Sequence, residues 1–390
     1  MKREYIQRDI SSAVRDAANY FPVIMITGPR QSGKTTLIKH LFERLPYYSL
    51  ENLDIRNFAA NDPVAFLNQD VQGMILDEVQ NVPALLSYIQ GIVDDNPSRR
   101  FVLSGSLQFS MLKTITQSLA GRTAIFELLP MAYSEVQVQA DEKSLDELLF
   151  DGFYPAIYAG LNIASYLYPN YVKTYLERDV RDLLQVKDMM QFQTFLRLCA
   201  GRVGNLFNAS ELSNEVGISA NTVKSWLSVL QASYIITLLP PYFENSTKRL
   251  TKTPKLYFTD TGLACYLLGI ETPQQLSRDR KRGNLFENFI VSEALKQRYN
   301  KGKESNLFFY RDSHQNEVDL LCKHGDRFDA IEIKSSQTYN VDFEKGLKVI
   351  SKAFQGMVDS RTIVYSGTFE NTAGDIKLVN YKNIGKVVSD

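Results

Sequence analysis

A glycine-rich loop directly after a short apolar run is the feature that most constrains how this chain folds. Residues 22–27 suit a buried strand that ends at Thr27, and the run GPRQSGKTT follows at residues 28–36. Glycines in such a loop let the backbone wrap closely around phosphate groups, whose charge is met by amide groups and a helix N-terminus. This order of strand, loop and helix predicts a nucleotide site in a parallel α/β sheet.

The loop residues have separate predicted roles. Lys34 is expected to reach the terminal phosphates of ATP, and the Thr35 hydroxyl is expected to bind Mg²⁺. Glycine loops also form ordinary turns, but the complete motif in this context predicts ATP as the ligand. The predicted nucleotide-binding residues of the loop are Gly28, Pro29, Arg30, Gln31, Ser32, Gly33, Lys34, Thr35 and Thr36.

Three further positions complete the predicted ATP site. Asp77 and Glu78 end an apolar run at residues 74–76, and we expect Asp77 to hold Mg²⁺ while Glu78 orients the attacking water. Ser106, after the run at 101–103, is a candidate γ-phosphate contact, although strand-end turns use the same residue types. Arg122 is a candidate catalytic cation, in cis or from a neighbouring subunit, with a surface arginine as the alternative.

A helix-turn-helix pattern follows in the middle of the chain, at residues 210–227, and two strand-like runs come after it. Its predicted core comprises Leu212, Val216, Ile218, Val223, Trp226 and Leu227. The polar residues expected to face outward, as on a DNA-recognition helix, are Ser219, Asn221, Thr222, Lys224 and Ser225. Nearby cations that could contact phosphates are Lys248, Arg249, Lys252 and Lys255. Winged helices also serve as lids or protein-contact modules, so DNA binding is a hypothesis with that alternative.

Carboxylates are spaced along the C-terminal region in a suggestive order. Glu287 lies on a predicted helix, Asp319 on a strand, and Glu332 and Lys334 share one face of the next strand of a predicted hairpin. This order is typical of restriction-endonuclease-like nucleases. It predicts Glu287, Asp319 and Glu332 as ligands of Mg²⁺ or Mn²⁺, with Glu332 and Lys334 as catalytic residues. Any strand with one wet face also alternates in this way, so cleavage itself stays open.

Loop residues close to these carboxylates are weaker candidates. Tyr310, Arg311 and His314 could line the same cleft, although such residues are more often solvated or structural.

The fold class expected from these patterns is α/β with several domains. At 390 residues the chain exceeds the usual size of one hydrophobic core. Strand-like runs at 47–50, 74–76, 101–103 and 124–126 complete a P-loop NTPase sheet after the first strand. The predicted domains are an ATPase core at 1–134, a helical lid or connector at 135–206, a winged-helix-like domain at 207–282 and a nuclease-like α/β domain at 283–390.

Composition limits the partners, the metal sites and the cell compartment that we expect. Basic and acidic residues balance at 44 each, so contact with DNA would depend on local basic patches. Cys199, Cys265 and Cys322 lie far apart and form no CxxC pair, which argues against a structural zinc site or a disulfide framework. Neither a secretory leader nor a membrane-spanning apolar run is recognisable, and we expect a cytoplasmic protein with no membrane partner.

Taken together, these motifs closely resemble those of prokaryotic AAA-type ATPases that carry a DUF4143 C-terminal region. The resemblance covers nearly the whole chain. The runs that carry it are residues 28–37, 76–80, 119–122, 175–180, 285–289 and 317–319. It implies an AAA-type ATPase core, a winged-helix middle and a nuclease-like end, although Val318 stands where nuclease motifs commonly have proline.

Three functions are consistent with these motifs, and one of them is a largely inactive nucleotide sensor involved in defence or regulation. The other two involve ATP turnover. The first is an ATP- and Mg²⁺-dependent enzyme that processes DNA, with a second Mg²⁺ or Mn²⁺ in the nuclease-like domain. The second is an ATP-driven switch that binds DNA or protein through a catalytically inactive nuclease-like domain. Assembly into a homo-oligomer is plausible if Arg122 acts in trans.

Overall fold

The computed structural model describes residues 5–106, 118–160, 164–176, 189–242, 253–373 and 375–388. These residues form two compact units. The first comprises Met1–Met131 together with Ala232–Tyr234 and Tyr299–Lys303, and the second comprises the remainder of the chain. Across the ranges described, no helix is both long enough and apolar enough to cross a membrane.

The first unit is built on a five-stranded sheet. Its strands are β1 (Val23–Thr27), β2 (Tyr47–Ser49), β3 (Gly73–Asp77), β4 (Arg100–Gly105) and β5 (Thr123–Glu127). They lie in the order β2-β3-β4-β1-β5 and pair in parallel throughout. The helices are α1 (Ser11–Ala17), α2 (Lys34–Leu41), α3 (Leu53–Asn61), α4 (Pro63–Leu67) and α5 (Leu85–Asp95).

The central strands of this sheet are buried on both faces, which explains their unbroken apolar sequences. Every residue of β1 and β3 is buried, as parallel strands covered by helices require. Because the strands are parallel, β1, β3 and β4 all end at the same edge. The prediction of a parallel α/β sheet is confirmed, and this edge carries the predicted nucleotide residues.

The second unit contains helices of varied length along its whole sequence. They are α6 (Gln137–Asp141), α7 (Leu145–Asp151), α8 (Pro155–Tyr158), α9 (Ala164–Tyr171), α10 (Met189–Gly201), α11 (Ala209–Val216), α12 (Ala220–Ala232), α13 (Thr261–Leu267), α14 (Pro273–Leu276), α15 (Arg282–Asn300), α16 (Lys345–Ala353) and α17 (Ile384–Val387). Strands β6 (Ile236–Leu239) and β7 (Lys255–Phe258) form a two-stranded antiparallel sheet.

A six-stranded mixed sheet completes the second unit. Its strands are β8 (Leu307–Arg311), β9 (Glu317–His324), β10 (Arg327–Lys334), β11 (Val358–Tyr365), β12 (Asn371–Ala373) and β13 (Ile376–Asn380). They lie in the order β12-β13-β11-β10-β9-β8. The predicted hairpin is present, with His324 opposite Arg327 and Leu320 opposite Ile331. This register brings the acids of β9 beside those of β10.

The middle region has the predicted helices and strands. Helices α11 and α12 meet at Gly217, whose left-handed backbone ends α11. Trp226 is buried against Phe192 and Phe195, so its predicted core position is confirmed. A winged-helix fold for this region and its contact with DNA both stay predictions, as does the division into four domains.

Candidate functional site

The phosphate loop is held in shape by its glycines. Gly28 has a φ of 142°, and a Cβ atom there would collide with the backbone oxygen of Leu128. Gly33 has a φ of 96° and lies immediately before α2. Both positions therefore require glycine, because other side chains rarely adopt these angles. Gln31 also has a positive φ, of 62°. The tight turn directs the amino end of α2 toward the loop.

Lys34 is almost fully buried in this loop. Its Nζ donates to the carbonyl oxygens of Gly28 and Pro29, at 3.0 and 2.9 Å. The ammonium group therefore lies inside the turn that the loop encloses. Of the other predicted loop residues, Ser32 is buried, Arg30 is half-buried and Thr36 is exposed.

Asp77, at the end of β3, is the centre of a hydroxyl network. Its Oδ2 accepts hydrogen bonds from the Thr35 hydroxyl and the Tyr47 hydroxyl, both at 2.8 Å, and its Oδ1 accepts one from Ser104. Burial and the nearby Asp77 carboxylate raise the pKa of Tyr47 above its ordinary value, so this phenol remains a donor. The two residues predicted to bind Mg²⁺ are thus in direct contact.

Glu78 follows in a strained conformation. Its φ of 56° places it in the left-handed region, which costs about 1–3 kcal/mol for a residue other than glycine. Gln80 Nε2 donates to Glu78 Oε2 and also lies 3.4 Å from Ser106 Oγ. The structure therefore brings Ser106 next to the predicted water-orienting acid, as residues at the ends of β3 and β4.

Several contacts of this site have no motif in the sequence. Buried Arg8 donates to the carbonyl oxygens of Ser32 and Leu129, both at 2.8 Å. The Thr27 hydroxyl lies 2.9 Å from the hydroxyl of Tyr234, more than 200 residues away in sequence. The sequence also does not predict Tyr47 and Ser104 as partners of Asp77, because no local spacing encodes a contact between neighbouring strands. Only the expectation that parallel strands end together could have suggested Ser104.

Arg122 lies where β1 begins, at the end of the sheet opposite the one that carries the phosphate loop. Its carbonyl oxygen accepts from Val23 N, at the first residue of β1, whereas the loop follows the last residue of β1. Four residue steps along a strand span about 13 Å. The Arg122 guanidinium instead forms an exposed pair with Asp94, at 2.5 and 2.8 Å. The structure does not bring Arg122 to the phosphate loop of its own chain.

In the second unit, the predicted nuclease-like residues do converge. Lys334 Nζ lies 2.5 Å from Glu332 Oε1 and 3.5 Å from Asp319 Oδ2, and Ile333 N donates to the same Asp319 oxygen at 2.8 Å. Burial, and then the Asp319 charge, raise the pKa of Glu332 to about 8. Burial alone would lower the pKa of Lys334, but the adjacent carboxylates outweigh it and raise that pKa.

Glu287, on α15, joins this group through a lysine for which the sequence predicts another role. Its Oε1 accepts from Lys255 Nζ at 2.8 Å and from the Tyr257 hydroxyl at 2.6 Å. Burial raises the pKa of Glu287, with Lys255 opposing that shift. Lys255 is only 2% exposed, so the expectation that it contacts DNA phosphates is wrong. We call Glu287, Glu317, Asp319, Glu332, Lys255 and Lys334 the carboxylate cluster.

With Lys255 and Lys334 in place, the carboxylate cluster does not have the arrangement of a metal site. Within the part of the chain that the structure describes, no three His, Cys, Asp or Glu side chains are placed to hold one ion. Lysine ammonium groups lie between the acids instead. The predicted second Mg²⁺ or Mn²⁺ therefore does not fit the cluster as it stands.

The remaining candidates have mixed positions. Ser219, Asn221, Lys224 and Ser225 are exposed on or next to α12, and Thr222 is half-buried. Lys248, Arg249 and Lys252 lie outside the described residues, as do residues 177–180. Tyr310 is buried against Phe354 in the core of the second unit rather than lining a cleft. Arg311 pairs with Glu317 at 3.1 Å, and His314 is exposed.

The phosphate loop after β1 and the acids after β3 define the first unit as that of a P-loop ATPase. Family models match three ranges of the chain: an AAA domain at residues 20–137, a domain of unknown function (DUF8612) at 142–274 and a domain of unknown function (DUF4143) at 282–384. The chain belongs to the family of AAA-type ATPases with a DUF4143 C-terminal domain.

Two mycobacterial relatives support this assignment, and two solved structures show a distant likeness. Uncharacterized proteins of Mycobacterium tuberculosis and Mycobacterium bovis are each 31% identical over 344 residues, which are 86% of this chain and 75% of theirs. The Walker-type ATPase of Pyrococcus abyssi aligns at a TM-score of 0.44 and 13% identity, over 68% of this chain and 97% of its own. RuvB of Thermotoga maritima aligns at 0.31 and 16%, over 59% and 86%. The assignment rests on the family models and the mycobacterial relatives.

Proposed function

We propose that this protein hydrolyses ATP with Mg²⁺ at the phosphate loop. The observation that carries the proposal is the 2.8 Å contact between the Thr35 hydroxyl and the Asp77 carboxylate. Both groups are oxygen ligands of the kind that Mg²⁺ takes in phosphate sites. When bound there, Mg²⁺ would neutralise charge on the β- and γ-phosphate oxygens.

The chain's own residues supply the other parts of the proposed reaction. Lys34 exchanges its contacts with the loop carbonyls for the terminal phosphates, and the amides of the loop hold the remaining oxygens. Glu78 orients the attacking water, while Gln80 fixes the Glu78 carboxylate and holds it near Ser106. Reaction at this edge needs no group from the carboxylate cluster.

A turnover assay tests this proposal. We expect ATP hydrolysis by the full chain to require Mg²⁺ and to fall by at least about 100-fold in Lys34→Ala, because the charge on the terminal phosphates loses its partner. Exposed Lys352, on α16, offers Lys352→Ala as a matched control with unchanged turnover. Hydrolysis that persists in EDTA, or in Lys34→Ala, would contradict the proposal.

We propose further that the second unit contacts DNA through α12. Short polar side chains at Ser219, Asn221 and Ser225 are exposed together with Lys224, near the start of this helix. Such groups suit base edges and phosphates in a groove. The balanced total charge makes this contact local and therefore sensitive to salt.

Fluorescence anisotropy with labelled duplex DNA measures this contact. The double variant Asn221→Ala with Lys224→Ala should bind about tenfold more weakly than the wild type, and with a smaller salt dependence. Lys352→Ala again serves as the control for loss of one exposed lysine. Equal affinity of the double variant and the wild type would leave α12 as a lid or protein-contact helix.

For the carboxylate cluster, the geometry favours a role in binding DNA or a protein partner over a role in cleaving DNA. Two lysine ammonium groups already lie against the acids that a nuclease would present to metal ions. We therefore expect no cleavage of linear, circular, single-stranded or branched DNA with Mg²⁺ or Mn²⁺, with or without ATP. Cleavage that disappears in Glu332→Ala and Lys334→Ala would establish a working nuclease instead.

A further inference from the structure

Lys255 occupies an unusual position for a lysine. It is the first residue of β7 and is 2% exposed, and three carboxylates surround its ammonium group. Nζ lies 2.8 Å from Glu287 Oε1, 2.5 Å from Glu317 Oε1 and 3.9 Å from Asp319 Oδ1. One cation from β7 therefore bridges acids from two further elements, α15 and β9.

The backbone around Lys255 is fixed from several sides. Strand pairing places Lys255 opposite Leu239, and a further bridge joins it to Leu206. The amide of Asn288, on α15, bonds the backbone of Phe258 twice, at 2.6 and 2.8 Å. Tyr257, two residues along β7 from Lys255, donates to the same Glu287 oxygen. These contacts hold the backbone of β7 beside α15, which keeps the Lys255 side chain next to Glu287.

The charge of Lys255 is maintained by its neighbours. Burial alone would lower the pKa of this lysine, but Glu287, Asp319 and Glu317 outweigh burial and raise the pKa above its ordinary value. Its side chain is therefore an ammonium ion at neutral pH. A buried ion of this kind is stable only while its counter-charges stay close.

One oxygen of the carboxylate cluster has no hydrogen-bond partner among the described residues. Glu332 is 8% exposed, and this oxygen is its Oε2, whereas Oε1 contacts Lys334. A Cβ atom on Gly346 would lie 3.1 Å from Oε2. A buried carboxyl oxygen without a partner is costly, so the two lysines do not meet the whole hydrogen-bonding capacity of the four acids.

We propose that Lys255 is a built-in cation that fills the cation position among Glu287, Glu317 and Asp319 and so excludes a divalent ion from the carboxylate cluster. The inference rests on the proposed non-cutting state of this cluster and names the residue that causes it. If Lys255 were only a structural ion pair, its removal would leave no affinity for metal.

Binding of Mn²⁺ without nucleotide tests the proposal separately from DNA cleavage and ATP turnover. All proteins carry Asp77→Asn, so that the predicted Mg²⁺ ligand at the end of β3 is removed from the ATP site. Free Mn²⁺ is followed by electron paramagnetic resonance for the Asp77→Asn parent, for added Lys255→Met, and for Lys255→Met with Asp319→Asn. Lys352→Met is the matched control, because Lys352 is exposed.

We expect Lys255→Met to bind one more Mn²⁺ per chain than the parent, and Asp319→Asn to abolish that gain. Mn²⁺ should also raise the unfolding temperature of the Lys255→Met protein and leave that of the parent unchanged. If Lys255→Met folds only when Mn²⁺ is present, that rescue supports the proposal as well.

Three results would overturn the proposal. The first is Mn²⁺ binding by the parent that is lost with Asp319→Asn, since Lys255 would then exclude nothing. The second is a folded Lys255→Met protein, or a folded Lys255→Gln protein if Lys255→Met does not fold with Mn²⁺, that gains no site. The third is failure of both variants to fold even with Mn²⁺. Cleavage of DNA by the wild type bears on the proposed function and leaves these readouts separate.

Discussion

The phosphate loop and the carboxylate cluster both bury acids near lysine, yet they satisfy those acids differently. At the loop, the partners of Asp77 in the described chain are hydroxyl groups, and Lys34 turns to backbone carbonyls instead. In the cluster, Lys255 and Lys334 contact the carboxylates directly. The same residue types thus form two sites whose acids have different partners.

This difference decides what each site can bind. Hydroxyl donors order a carboxylate without cancelling its charge, so Asp77 still attracts a cation. An ammonium group cancels the charge as well, and removing it leaves a costly buried ion. A motif that places acid and lysine close together therefore does not by itself define a metal site. The structure must also show whether the lysine contacts the acid or another group.

The largest expected effect separates the two acids by one matched substitution. Asp77→Asn should lower ATP turnover by about 100-fold or more, because an amide is a poor ligand for Mg²⁺ and disturbs the Thr35 contact. Asp319→Asn, in the other unit, should leave turnover within about twofold of the wild type. Steady-state ATPase rates at saturating Mg²⁺ measure both.

Folding must be checked for both variants by circular dichroism. A comparable loss of turnover in folded Asp319→Asn would mean that the cluster takes part in ATP hydrolysis, and the contrast between the two sites would fail.

The phosphate-loop side of this comparison could largely be predicted from the sequence. The strand before Gly28, the acids after residues 74–76 and the hairpin of β9 and β10 each follow from local patterns of apolar and turn residues. Local patterns fix which residues end a strand. Since parallel strands end at one edge, the sequence alone is enough to place Lys34, Thr35 and Asp77 together.

The contacts of Lys255 could not be predicted in this way. Its strand is short, and its basic neighbours at 248–252 suggested an exposed, DNA-binding surface. Only the packing of β7 against α15 reveals the burial of Lys255 beside Glu287. The position of Arg122 could not be predicted either, because its motif does not encode at which end of the strands it lies.

A smaller effect is expected in the pH dependence of the second unit. The pKa of Glu332, about 8, lies above its ordinary value, so the folded chain holds this proton more tightly than the unfolded chain. Raising the pH from 5 to 8 should therefore destabilise the wild type, by about 1–3 kcal/mol from this group. Glu332→Gln should lose that part of the slope.

Urea unfolding followed by tryptophan fluorescence measures how the stability of the second unit changes with pH. The chain has one tryptophan, Trp226, and it is buried in the second unit. Glu142→Gln is a suitable control because Glu142 is an exposed acid of the same unit. A slope that is equal in the wild type and Glu332→Gln would show that Glu332 ionises normally.

The hydroxyl network at the loop predicts a more modest change. Tyr47→Phe removes one donor to Asp77 and leaves those from Thr35 and Ser104. Loss of one hydrogen bond should raise the Mg²⁺ concentration for half-maximal ATP turnover by about 2–10-fold, with a smaller change in kcat. The neighbouring Tyr48 bonds Asp70, so Tyr48→Phe is a matched control with no such shift. Equal Mg²⁺ curves for both phenylalanine variants would remove Tyr47 from the site.

Arg122 should give the smallest effect of all. Its guanidinium pairs with Asp94 at the edge of the sheet opposite the loop, and this exposed pair is screened by solvent. We therefore expect Arg122→Ala to keep ATP turnover per chain within about twofold of the wild type, at every protein concentration assayed. A loss of about 1,000-fold would instead place Arg122 in a neighbouring subunit's site. In that case the wild-type rate per chain should rise with protein concentration, and the phosphate loop would be complete only in an oligomer.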